Sequence, residues 1–196
     1  MDRASGILMP VTSLPGQYGI GCFSKEAYGF VDWLKAAGQT FWQILPIHPT
    51  SYGDSPYQSF STFAGNPYLI DLEELVREGV LTKEECDSLY FGDEESDIDY
   101  EAQYESRYIL LTTAYERSDI SRNPEYQQFL SENRWWLDDY ALFMALKNFF
   151  GGKCWYEWPE DIRPLPWAYC SRPAGTAPDG PRCPQNPWQH KWGCRR

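Results

Sequence analysis

The sequence predicts an α/β chain that opens with a parallel strand–helix–strand unit and continues into a mainly helical stretch. Three observations predict it. Residues 5–11 (SGILMPV) and 40–47 (TFWQILPI) are short apolar runs, and a helical pattern fills the gap between them. Fewer than 45 residues hold all three elements, which suits a crossover connection and not a hairpin. Beyond residue 72 the character turns helical, with cap signals and apolar spacings of three and four.

Each element has a local reason. The first run is brief enough for a buried strand, and a loop rich in Gly and Pro (TSLPGQYGIG) follows it. Ser24 is a good N-cap, Glu26 suits the positive end of a helix, and Ala27, Phe30, Val31 and Leu34 repeat at helical spacing. Gly38 is then a plausible stop. The second run is almost wholly apolar, as expected of a strand covered on both faces. Thr82-Lys83-Glu84-Glu85 fits a capping box, and Asn123-Pro124 reads as an N-cap with Pro at the first helical position. Tyr104, Tyr108, Leu111 and Tyr115 share one helical face. A stripe of Leu142, Phe143, Leu146, Phe149 and Phe150 ends at Gly151-Gly152. Trp135-Trp136 and the tyrosine face are expected as core between helices.

Composition excludes several classes. The chain has 196 residues, 42% apolar and 17% aromatic, so wholesale disorder is not expected. A net charge of −11 would be repelled by phosphate backbones, so nucleic acid is not an expected partner. No apolar stretch approaches the ~18 residues of a membrane span, and residues 1–10 do not read as a secretion signal. The scattered Cys22, Cys86 and Cys154 suit free thiols in a reducing cytoplasm. The acidic run around Asp93, Glu94, Glu95, Asp97 and Asp99 lacks the spacing of a calcium loop and reads as a solvated face.

The composition breaks near Arg163. From there to Arg196, seven Pro and three Gly occupy 10 of 34 positions, and six basic residues face only Asp179. Helix and central strand are disfavoured there. Three readings stay open: zinc ligation by Cys183, His190 and Cys194 with Cys170, a basic Trp-bearing arm, or translation out of frame, which is preferred.

The long aperiodic segment after the second strand carries the function. It reads from Pro46 to Asp71, and its string YGDSPYQSFSTFAGNPYLIDL resembles the amylomaltases, the 4-α-glucanotransferases of glycoside hydrolase family 77. FWQILPIHPT, SGILMPVTSLPGQYGIG and the later WYEWPEDI are similar to that family too, so the resemblance covers about residues 5–162. It implies a partial (β/α)8 TIM barrel of the α-amylase type, of which the first two strands are visible. Residues 1–71 would start the barrel and carry the substrate loop. Residues 72–162 would be a helical inserted subdomain, and 163–196 an irregular tail.

The resemblance also implies transfer of α-1,4-glucan segments between malto-oligosaccharides or to glucose, with no cofactor; no metal site is expected from the residues. Tyr57 matches the family tyrosine that packs on the sugar beside the scissile bond. Tyr52 matches an aromatic of a secondary glucan contact in some members. Asp54, Ser55 and Asn66 belong to the same motif with a polar or shaping role. The loop's chemistry agrees, since aromatic rings cover the C–H face of a pyranose while amides and carboxylates meet its hydroxyl rim. Retaining glycoside chemistry needs two carboxyl groups about 5–5.5 Å apart, and no position here matches the family's pair. This chain is therefore expected to be inactive alone. The alternatives are a non-catalytic glucan-binding fragment and the complementing half of a split enzyme. A two-stranded parallel piece leaves open edges and is expected to be marginal, with the helical stretch better held because its contacts are local.

Overall fold

The computed structural model describes residues 3–51, 53–93 and 97–163. Tyr52, Glu94, Glu95 and the tail beyond Arg163, with its candidate zinc ligands, lie outside the described residues. Two compact units divide between Ser118 and Asp119.

In the first unit, strand β1 (Gly6–Leu8) pairs in parallel with β2 (Phe41–Gln43), and Gly6, Ile7 and Leu8 lie opposite Phe41, Trp42 and Gln43. Helix α1 (Lys25–Ala36) connects them, giving the expected parallel unit. Ser24 caps α1 by accepting from the Glu26 amide, and Gly38 takes a φ of 70° just past its end. Both strands are shorter than the apolar runs that contain them. Pro10 and Pro46, which lack an amide donor, follow closely.

The expectations of a buried first strand and of a second strand covered on both faces are not met. Phe41 is 61% exposed and Leu8 59%. What packing the sheet has comes from one side, where Met9, Phe30 and Trp42 lean on a small core of Val11, Leu14, Ala27 and Leu69. The Trp42 and Phe30 rings meet edge to face at 5.0 Å, and the Trp42 indole donates to the Met9 carbonyl at 2.8 Å.

The larger core lies among helices. Helices α2 (Leu72–Arg77), α3 (Lys83–Asp87) and α4 (Tyr100–Arg117) bury Leu72, Leu81, Cys86, Leu110 and Ala114 together with Tyr18 and Phe91. Asp71 caps α2. The capping box at Thr82 is present in full: its hydroxyl accepts from the Glu85 amide, and the Glu85 carboxylate accepts from the Thr82 amide. Asp99, from the acidic run, caps α4 by accepting from the Ala102 amide at 2.9 Å.

The buried face of α4 is not the tyrosine face. Tyr104 is half exposed, whereas Ala102, Gln103, Ser106, Arg107, Leu110 and Ala114 are buried.

The second unit is built on helix α5 (Pro124–Phe149), which Asn123 caps through two backbone amides. Phe143 and Phe150 close on the buried Trp158 with ring centroids 5.7 and 5.6 Å apart. The Trp158 indole donates to the Lys153 carbonyl, and the Arg163 guanidinium donates to the Trp158 carbonyl. Trp135 is 65% exposed and does not sit in a helical core as expected.

Candidate functional site

The segment after β2 folds back on itself through two nested closures. The Asn66 amide donates to the Ile47 carbonyl at 2.8 Å, and the Ser51 amide donates to the Gln58 carbonyl at 2.9 Å. A long loop whose ends meet in this way is a compact surface device, not a slack connection. Gly53 and Asp54 turn its tip, with φ of 86° and 52°. Asp54 is the one non-glycine residue with positive φ among the described residues. Asp tolerates that conformation better than bulkier residues do. Its amide donates to the Ser51 carbonyl, and the Thr50 hydroxyl reaches its carboxylate at 3.4 Å.

This geometry opens a cavity of about 120 Å³ at the carboxyl ends of both strands. Its walls are Pro10, Val11 and Thr12 after β1, and Leu45, Pro46, Ile47, Thr50, Asp54 and Pro56 after β2. Asn66, Leu69 and Tyr100 complete them. A site that engulfs a whole ligand holds roughly 300–1,000 Å³. This notch is smaller and can receive only the edge of a ligand. Open parallel sheets bind ligands at this end of their strands.

Of the sequence-derived candidates, Asp54 and Asn66 come together on the wall. Asn66 has a second task. Its side-chain oxygen accepts from the Tyr68 amide at 2.9 Å and starts the short turn Pro67–Leu69. Ser55 is half-buried beside the notch, and its hydroxyl accepts from the Tyr57 amide at 3.4 Å. Tyr57 lies on the loop outside the wall and is 73% exposed. Tyr52 falls outside the described residues.

Tyr100 is the wall residue that local sequence did not mark, because it reaches the notch from α4 across a long stretch of chain. Its phenol is raised in pKa, first by burial and then by Asp54. Tyr68, whose ring lies 6.2 Å from that of Tyr100, is pushed up to about 12 by the same two causes in the same order.

Among the described residues, Asp54 is the one carboxylic acid on the wall. Asp71 is committed elsewhere: it accepts from the Glu73 amide at 2.9 Å and pairs with Arg77. Among the described residues, no group of three or more His, Cys, Asp or Glu side chains could hold a metal ion, and no helix is long and apolar enough to cross a membrane.

Fold and site thus define a parallel α/β protein with a largely apolar notch at its strand ends, into whose wall Asp54, Asn66 and Tyr100 are set. A family profile described as 4-alpha-glucanotransferase matches residues 9–173, so the match extends past Arg163. The chain is 46% identical over 159 residues to a 4-alpha-glucanotransferase of Streptococcus pneumoniae, covering 81% of this chain and 32% of that protein. A 4-alpha-glucanotransferase of Thermus thermophilus is 45% identical over 167 residues, again covering 32% of its length. Among solved structures, an amylomaltase from Streptococcus agalactiae in complex with acarbose superposes with a TM-score of 0.74 at 45% identity, over 81% of this chain and 32% of that one. The chain belongs to the 4-alpha-glucanotransferase family, and it spans about a third of the length of these relatives.

Proposed function

We propose that the notch and its tyrosine-bearing loop bind α-1,4-glucans and malto-oligosaccharides, as part of an enzyme that transfers glucan segments between such chains. On this reading the parallel unit is the start of a (β/α)8 barrel of the α-amylase type. Residues 72–162 are a helical insertion. Tyr57 covers the apolar face of one sugar, Tyr52 adds a secondary contact, and Asp54, Ser55 and Asn66 meet or shape the hydroxyl rim.

One observation carries this proposal: Asp54 and Asn66 sit together on a cavity wall at the carboxyl ends of β1 and β2. The solved relative with acarbose, at 45% identity, supports the same ligand class. The free buried thiols Cys22 and Cys86 fit a reducing cytoplasm.

With one carboxylic acid on the wall, the chain binds without catalysing, because retention of configuration requires a pair. Retention on amylose, reversed by maltoheptaose, is expected, together with no glucose release from maltotriose. Failure to be retained overturns the reading.

The complementing role has its own support in the uncovered strands, with Leu8 and Phe41 more than half exposed. A separately produced remainder of a family member, mixed with this chain, would then restore glucose release. An inert mixture counts against it.

A further inference from the structure

Helix α4 carries a buried stripe that is half polar. Gln103, Ser106, Arg107, Leu110 and Ala114 follow one another at helical spacing, and all are buried. Leu110 and Ala114 feed the helical core. The first three do something else: each donates to backbone carbonyls of loops.

The Gln103 amide donates to the carbonyls of Tyr18 at 2.8 Å and Phe91 at 3.1 Å. The Ser106 hydroxyl donates to the Tyr90 carbonyl at 2.5 Å. Arg107 donates through Nε to the Gln103 side-chain oxygen at 2.7 Å and through Nη1 to the Ile70 carbonyl at 2.8 Å. Arg107 is 1% exposed and Gln103 0%. Burial lowers the Arg107 pKa, with Cys22 and Asp71 acting in the other direction.

A buried cation and amide at helix positions that suit Leu are costly in desolvation. Their yield is geometric. The guanidinium is a rigid planar fork, and here it fixes the distance between α4 and Ile70. Ile70 is where the glucan loop ends, directly after Asn66 and its capped turn. Two turns earlier on α4, Tyr100 closes the notch. The stripe therefore ties both sides of the notch to one helix.

We propose that Arg107, acting through Gln103 and the Ile70 carbonyl, is a positioning residue for glucan recognition, holding Asn66 and Asp54 at their working distance from Tyr100. The proposal rests on the glucan reading of the notch, and its test separates the two.

The test takes the full chain, Arg107→Lys and Arg107→Met, with Gly19→Ala as a disturbance from the opposite side. Gly19 has a φ of 71°, and a side chain there would strike the Phe91 carbonyl and the Gln103 amide. Lysine keeps the charge but cannot hold Gln103 and Ile70 in one plane, so it breaks the clamp, and the melting temperature of each variant is measured first. Hydrogen exchange is read peptide by peptide, and maltoheptaose affinity is measured well below the melting temperature.

Exchange at residues 66–71 is expected to rise about tenfold in the Lys variant, with α1 unchanged, and maltoheptaose to bind about tenfold more weakly. A uniform rise across residues 3–118, or none, overturns the clamp and leaves Arg107 an ordinary core residue. A local rise with unchanged affinity overturns the positioning role. If the unaltered chain does not bind maltoheptaose while the local rise occurs, the glucan reading falls and the clamp itself stands.

Discussion

Replacing Tyr57 with alanine separates a binding role from a folding role in one residue. Its side chain is 73% exposed, and its backbone amide, which survives the substitution, makes the contact with Ser55. Little packing is lost, so folding free energy should change by no more than about 0.5 kcal/mol, a melting shift of about 1–2 °C. Binding should respond more. An aromatic face in such contact contributes about 0.5–1.5 kcal/mol beyond area burial, so losing the ring, with its buried area as well, should weaken Kd by at least about 2- to 13-fold. Calorimetric titration with maltoheptaose measures it, alongside thermal melts of the same samples. Tyr57→Phe keeps the ring and should bind as the parent does. If the alanine variant binds normally, Tyr57 is not a platform. If it melts much earlier, the residue is structural. If the phenylalanine variant is as weak as alanine, the hydroxyl is the contact and stacking is the wrong account.

Leu72 is 1% exposed at the centre of the helical core, so Leu72→Ala should cost about 2–5 kcal/mol in urea unfolding. Ile109→Ala, at a position 57% exposed on α4, should stay within about 0.5 kcal/mol and serves as its control. Glu85 is held at a pKa of about 2, below its ordinary 4.5, chiefly by the Arg117 guanidinium and then by the Thr82 amide. A lowered acid contributes stability above 4.5 that is lost as pH falls toward 2. Carboxyl titration by NMR should find that value and see it return toward 4.5 in Arg117→Ala; no movement would show that the pair does not set it. Tyr18 and Tyr68 are both raised to about 12 by burial, so their stabilisation is complete below 10 and vanishes as pH climbs to 12. Ultraviolet phenol titration should show them ionising late and together with unfolding; early ionisation of both would contradict their burial.

Local chemistry made much of the fold legible. Ser24, Thr82 and Asn123 each declare a helix start by a short polar side chain ahead of an acidic first turn, and each makes the expected backbone bond. Those bonds span two or three residues, so no distant partner is needed to foresee them. The face of α4 was hidden for the opposite reason. Periodicity weighs apolar residues, and Tyr104, Tyr108, Leu111 and Tyr115 advertise a face that is only partly covered. The true inner stripe carries Gln103, Ser106 and Arg107, whose partners are carbonyls at Tyr18, Ile70, Tyr90 and Phe91. Backbone carbonyls are the same at every residue, so sequence cannot say which will be met. Asp54 and Asn66 were found through their motif, whereas Tyr100 joins them only once α4 is placed.

Where the first unit gets its cohesion explains why the notch is fastened at its far end. The strands contribute little burial: Phe41 and Leu8 are mostly exposed, and Ile44 and Ile47, at the entry of the loop after β2, are 37% and 39% exposed. A loop anchored only there would inherit the mobility of a thin, half-covered sheet. Its exit is different. Leu69 is buried against Val11, Leu14 and Ala27, Leu72 enters the helical core, and between them Ile70 is gripped by Arg107. The order of the notch is thus set by α4 more than by the strands whose ends it occupies. Substitution of the exposed Phe41 in β2 should then disturb binding less than one in the polar stripe of α4, although β2 is the nearer element in sequence.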